Sequence, residues 1–117
     1  FKIRGGNMGA SENQIDICNK YNLEGSPPEV IVALALTSLD KMPIYGSRIK
    51  ITEDDTVSWF FYCGEYSDSE DFYSPIHINH LEELLPLVIP YLYLPPNTQF
   101  IIDDKGYEDV WTNEDLI

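Results

Sequence analysis

Residues 57–64, Val-Ser-Trp-Phe-Phe-Tyr-Cys-Gly, set the terms for the rest of the chain. Side chains of an extended backbone alternate between faces, so Val57, Trp59, Phe61 and Cys63 share one side and Phe60 and Tyr62 the other. Both sides are apolar and rich in aromatics, which makes this run the candidate central strand of a sheet. Just upstream, residues 53–56 (EDDT) read as a turn. The segment starting at Pro43 also alternates, with Tyr45, Ile49 and Ile51 on one face and Gly46, Arg48 and Lys50 on the other, as in a half-buried strand. Downstream, residues 65–75 (EYSDSEDFYSP) mix four acids with three aromatics without periodicity and read as a loop.

Residues 26–40 admit two readings. Ser26, Pro27 and Glu29 form a capping-box pattern for a helix reaching Asp40. Against it, Val30-Ile31-Val32 is β-branched, and the apolar run to Leu36 suits a strand buried on both faces. Periodicity does not arbitrate between them, and the balance falls on the strand. Residues 12–24 place Ile15, Ile17, Cys18, Tyr21 and Leu23 at a mixed spacing that fits a short helix better than a strand. From Asn79, an N-cap candidate with Glu82 three residues on, Leu81, Leu84, Leu85 and Val88 recur at helical spacing. Pro86 and Pro90 each remove a hydrogen bond, so two short helical pieces meeting near Leu85-Pro86 are expected, ending at Leu94-Pro95-Pro96-Asn97. Residues 99–103 and 107–112 form a terminal hairpin around Asp104-Lys105-Gly106. The expected fold is α+β, a single domain with a mainly antiparallel sheet and a proline-interrupted helical segment packed on one face.

A chain of 117 residues with 44% hydrophobic side chains can bury a core of its own, and no apolar run approaches the roughly 18 residues of a membrane span. Seven Lys and Arg against 20 Asp and Glu give a net charge of −13, which argues against nucleic acid as a partner and for a basic one. The imbalance lies in one half: residues 1–52 carry six bases and five acids, residues 53–117 one base and 15 acids. Cys18 and Cys63 fit neither zinc spacing nor a disulfide scaffold, so reduced, buried thiols in a cytoplasmic protein are expected. Residues 1–11 read as a tag remnant or disordered tail, with Met8 either the native start or part of the tag. Residues 12–117 then make up the single domain.

His77, His80 and Glu83 are spaced by three and could offer ligands to zinc, but His77 precedes the proposed cap and reads as a surface or capping residue. Asp68, Glu70 and Asp71 resemble half a calcium loop without its glycine or its final glutamate. No nucleophile elbow, catalytic-cysteine context or phosphate-binding glycine loop occurs, so no catalytic residue, metal or cofactor is assigned. A small hydrolase using carboxylates or His77 and His80 remains the alternative, as does a regulatory protein-binding module. The distinctive feature is Tyr66, Phe72 and Tyr73 interleaved with Glu65, Asp68, Glu70 and Asp71. Aromatics give desolvated area and acids steer a basic partner, so these seven residues are the candidate partner-binding set. The competing reading tucks their rings back onto the core.

Ile44-Tyr45-Gly46-Ser47-Arg48, Ser58-Trp59-Phe60-Phe61 leading to Gly64-Glu65, Pro86 with Ile89, Leu94-Pro95 to Thr98-Gln99-Phe100, and Gly106-Tyr107 follow one another in an order that resembles the bacterial immunity-protein family numbered thirty-three. These are small cytosolic proteins encoded beside polymorphic toxins, formerly catalogued as a domain of unknown function. The resemblance covers about two-thirds of the chain, from Val32 to Trp111. Ser58 stands where that family tends to have glycine, and its aromatic strand before the arginine is matched only by Tyr45 and Gly46. The resemblance implies neutralisation of a cognate protein toxin by direct binding, and it supplies no catalytic residues.

Overall fold

The computed structural model describes residues 9–52 and 56–116. The turn expected at 53–56 and most of the expected tail lie outside them, apart from Thr56 and residues 9–11. Among the described residues six strands form one sheet: β1 (Ile31–Leu34), β2 (Ile44–Arg48), β3 (Val57–Cys63), β4 (Ser74–His77), β5 (Thr98–Ile102) and β6 (Glu108–Thr112). They lie in the order β4-β1-β3-β2-β5-β6, which puts β3 in the interior, as its two apolar faces demand. All neighbours are antiparallel except β1 and β3. Trp59, Phe61 and Cys63 point into the core, and Phe60 and Tyr62 face the other way, half-buried.

Of the two readings for residues 26–40, the chain takes the strand. Val32 and Leu34 are fully buried in β1, and a single 3-10 turn, Leu36–Ser38, follows. The capping-box helix does not form because Glu29 is used elsewhere: its carboxylate accepts from Ser58 Oγ and lies 3.6 Å from Arg48. A strand absent from the sequence reading, β4, joins the sheet at its edge beside β1. Pro75 obscured it, yet an edge is where a strand tolerates proline.

The strand phase expected for β2 is reversed. Ile44, Gly46 and Arg48 face the core, whereas Tyr45 and Ser47 face outward and Ile49 and Ile51 lie beyond the strand. Gly46 is inward because a side chain there would collide with Phe100, whose Cε2 would sit 2.3 Å from a Cβ. Arg48 is inward, only 1% exposed, because each of its three nitrogens finds an acceptor. Nε donates to Ser58 Oγ (3.2 Å), Nη1 to the carbonyls of Ser26 and Leu94 (both 2.8 Å), and Nη2 to the carbonyl of Pro27 (2.6 Å) beside Glu29. Burial pulls the guanidinium below its ordinary pKa and Glu29 offsets the pull. It remains charged, since arginine does not deprotonate in proteins.

Helix α1 (Glu12–Lys20) starts at Ser11, where Ser11 and Gln14 cap one another reciprocally. It docks through Cys18 and through Gln14 Nε2, which donates to the carbonyl of Ile89 (2.9 Å). The second helical segment begins two residues before the expected cap: His77, not Asn79, is the N-cap, its Nδ1 accepting from the Asn79 N–H (3.2 Å). A 3-10 turn, Ile78–His80, leads into α2 (Leu81–Leu84). Leu85, forced out of helical geometry by Pro86, separates α2 from a 3-10 stretch, Pro86–Tyr91, as the prolines predicted. Leu81, Leu85, Val88, Tyr91, Leu92 and Leu94 cluster with Trp59, Phe61 and Phe100, so the helical segment covers one face of the sheet. In the closing hairpin, Asp103 Oδ1 accepts from the N–H groups of Lys105 (2.8 Å) and Tyr107 (2.9 Å), and Gly106 supplies a φ of +93°.

Glu108 of β6 ties the helices to the sheet edge. It accepts from Lys20 Nζ (2.6 Å), Tyr21 Oη (2.5 Å) and Tyr91 Oη (2.6 Å). Burial works against its ionised form, but these three donors outweigh burial and hold the carboxyl below the ordinary glutamate range. A depressed folded pKa means stability that is present above the unfolded value, about 4.3, and is lost as pH falls through the folded one. Glu108→Gln should therefore cost about 1 kcal/mol at neutral pH, and the gap from the parent should start to narrow at about pH 4.3 and close as pH falls through the lower folded pKa. Urea melts between pH 7 and pH 3 measure it, and a gap independent of pH would remove this role from Glu108.

Candidate functional site

The face of the sheet opposite the helices carries a continuous set of rings. Tyr45 of β2 and Tyr62 of β3 are directly paired and stack with centroids 4.5 Å apart and planes 16° from parallel. The loop after β3 folds back onto this pair: Tyr66 and Phe72 meet Tyr62 at 5.6 and 5.9 Å. Phe72 continues to Tyr73 at 4.9 Å, and Tyr73 meets Phe60 at 5.3 Å. The loop rings thus pack against protein, but on the outer face and not in the core. Tyr66 is 59% exposed, and Phe72 and Tyr73 are half-buried. Burial, reinforced by Tyr66 and Tyr62, pushes the Tyr73 phenol up to about 12, so it is a neutral donor at physiological pH.

The predicted acids surround these rings. Glu65, Asp68, Glu70 and Asp71 are all exposed, and Ser69 Oγ holds Asp71 Oδ1 at 2.5 Å. Residues 64–72 and the turn at 37–42 bound an open groove of about 810 Å³. On the other side of Tyr45 and Tyr62, Gln99 orders the surface by donating to Ser47 Oγ and accepting from Trp111 Nε1 and Asn113 Nδ2, each at 3.0 Å. These residues fix Trp111 beside the ring stack around a shallow hollow of about 190 Å³.

Sequence reasoning missed Tyr45, Gln99 and Trp111. The available signal was the second apolar face of 57–64, but the reversed phase of β2 assigned Tyr45 to the core. His77, His80 and Glu83 are exposed, and His77 is engaged as a cap. Among the described residues no three His, Cys, Asp or Glu side chains are grouped as metal ligands would be. Both cysteines are free and buried, and burial, with a smaller push from Asp40, raises the Cys63 thiol to about 11. Such a thiol is a poor nucleophile. Among the described residues no helix is long and apolar enough to cross a membrane.

The Imm33-like domain family matches residues 13–113. The chain belongs to this immunity-protein family. No curated protein and no solved structure matches it. Membership implies a protein partner, a toxin in general terms, and points to binding rather than catalysis. In this Imm33-like domain the motif residues divide between the two faces: Tyr45, Phe60 and Gln99 lie on the outer one, and Gly46, Arg48, Ser58 and Trp59 turn inward. Gly46 lies under Phe100, Arg48 holds the Leu94 carbonyl and Ser58, and Trp59 Nε1 donates to the Leu92 carbonyl at 3.0 Å. Ser58 is the acceptor for Arg48 Nε and the donor to Glu29.

Proposed function

We propose that the protein is a cytoplasmic, non-enzymatic immunity protein that neutralises a basic cognate toxin by covering it with the outer face: the Tyr45–Tyr62 stack, the rings of Tyr66, Phe72 and Tyr73, and the acids Glu65, Asp68, Glu70 and Asp71. The observation that carries this reading is the continuity of rings and acids on the sheet face that no helix covers. Rings that are already packed lose little freedom on binding and supply desolvated area, while the acids act at long range on a cationic partner.

The two parts of this surface should separate kinetically. Changing Asp68, Glu70 and Asp71 together to Asn, Gln and Asn should slow association and flatten its salt dependence, because screening shortens the Debye length from roughly 10 Å at 0.1 M salt to 3 Å at 1 M. Tyr66→Ala should mainly speed dissociation. Surface plasmon resonance against the C-terminal domain of the toxin encoded beside this chain, at two salt concentrations, reads both effects. Unchanged association for the triple variant would take the loop out of the interface, and absence of any binding would end the immunity reading.

A further inference from the structure

We propose that the groove between residues 37–42 and 64–72 is a socket for an arginine side chain of the partner. The proposal rests on the function inferred above and adds the chemistry recognised at one point of that surface. Tyr66 and Phe72, edge to face with centroids 5.3 Å apart, form one wall and leave ring surface over which a flat cation can stack. Glu65 and Asp71 line the same groove, and Asp71 is already held by Ser69. Ser38 lines it from the opposite side. Ser38 is only 9% exposed, and its Oγ is buried without a hydrogen-bond partner. A buried hydroxyl normally has a partner, so this oxygen is an acceptor in want of a donor.

Rings, two carboxylates and an unused hydroxyl together suit a planar fork of N–H groups better than the point charge of lysine. A second copy of this chain is a poor occupant, since each copy carries a net charge of −13. Among the described residues Lys41 is the one cation lining the groove, and its side-chain stem lies against Gly64, where a Cβ would sit 3.0 Å from that of Lys41. It repels the incoming guanidinium, so removing its charge should tighten binding.

The test is a titration of the 15N-labelled full chain with N-acetyl-arginine amide, followed by NMR, with the corresponding lysine and citrulline amides as comparators. Arginine amide should shift the backbone amides of Ser38, Gly64, Tyr66 and Phe72 in saturable fashion, lysine amide less, and citrulline amide not at all. Asp71→Asn should weaken arginine amide by about fivefold, and Lys41→Gln should strengthen it. Equal shifts from citrulline, or none from arginine at these positions in the folded chain, overturn the socket. If the toxin domain still binds under that outcome, the socket alone has failed. Arginine uptake by a chain that binds no toxin upholds the socket and sinks the functional reading.

Discussion

Arg48→Met should cost about 3–5 kcal/mol of unfolding free energy, a large share of the 5–15 kcal/mol typical of a domain. The substitution keeps length and apolar bulk but removes every donor that holds the carbonyls of Ser26, Pro27 and Leu94, and it strands Glu29 beside Ser58. Acceptors left unpaired in a buried place carry their full desolvation cost. Arg48→Lys separates charge from geometry. It keeps the cation but offers three donors on a point charge in place of the flat fork, so it should recover less than half of the loss. Urea melts of both variants decide it, and a loss under about 1 kcal/mol for Arg48→Met would mean that the guanidinium is not the clamp. Should Arg48→Met not fold at all, the melt of Arg48→Lys still gives a measurable comparison with the parent.

Trp59→Ala should cost a similar amount, about 3–5 kcal/mol, through the cavity that it opens. The indole is fully buried, stacks on Phe61 at 5.2 Å and meets Phe100 at 5.6 Å, and its ring lies 5.9 Å from the Arg48 guanidinium. It also supplies the donor for the Leu92 carbonyl. Trp59→Phe fills part of the space but leaves that carbonyl unpaired, so it should cost about 1–3 kcal/mol. Denaturant midpoints at constant m separate the two terms, and equal losses for alanine and phenylalanine would assign the whole effect to the hydrogen bond.

Local signals made part of this structure legible. The double alternation of 57–64 located the central strand, Pro86 marked the break at Leu85, and Asp104-Lys105-Gly106 located the hairpin. The phase of β2 was not legible, because whether Arg48 can be buried depends on carbonyls 22 and 46 residues away in the chain. No local window contains them, and a pattern rule sends a charged side chain outward. Residues 74–77 were hidden by Pro75 and by being too short for an alternation to show. The loop rings and acids could be named from their interleaving, whereas Gln99 and Trp111 join Tyr45 only through the sheet order β2-β5-β6. Whether those rings bind outward or inward was a matter of tertiary packing. They pack on the uncovered face of the sheet and not on the core, with Tyr66 left largely exposed.

The Arg48 clamp also governs when the chain can fold during its own synthesis. Its acceptors come from residues 26–29 and from Leu94, so a nascent chain that ends before Leu94 carries a cation it cannot bury and a strand β2 without its neighbour β5. Stable folding must await the residues up to β5, and the outer face, whose ring stack hangs on β2 and β3, assembles no earlier than the clamp. A chain stalled before Leu94 therefore presents no ordered outer face, however much of β2 and β3 it already contains.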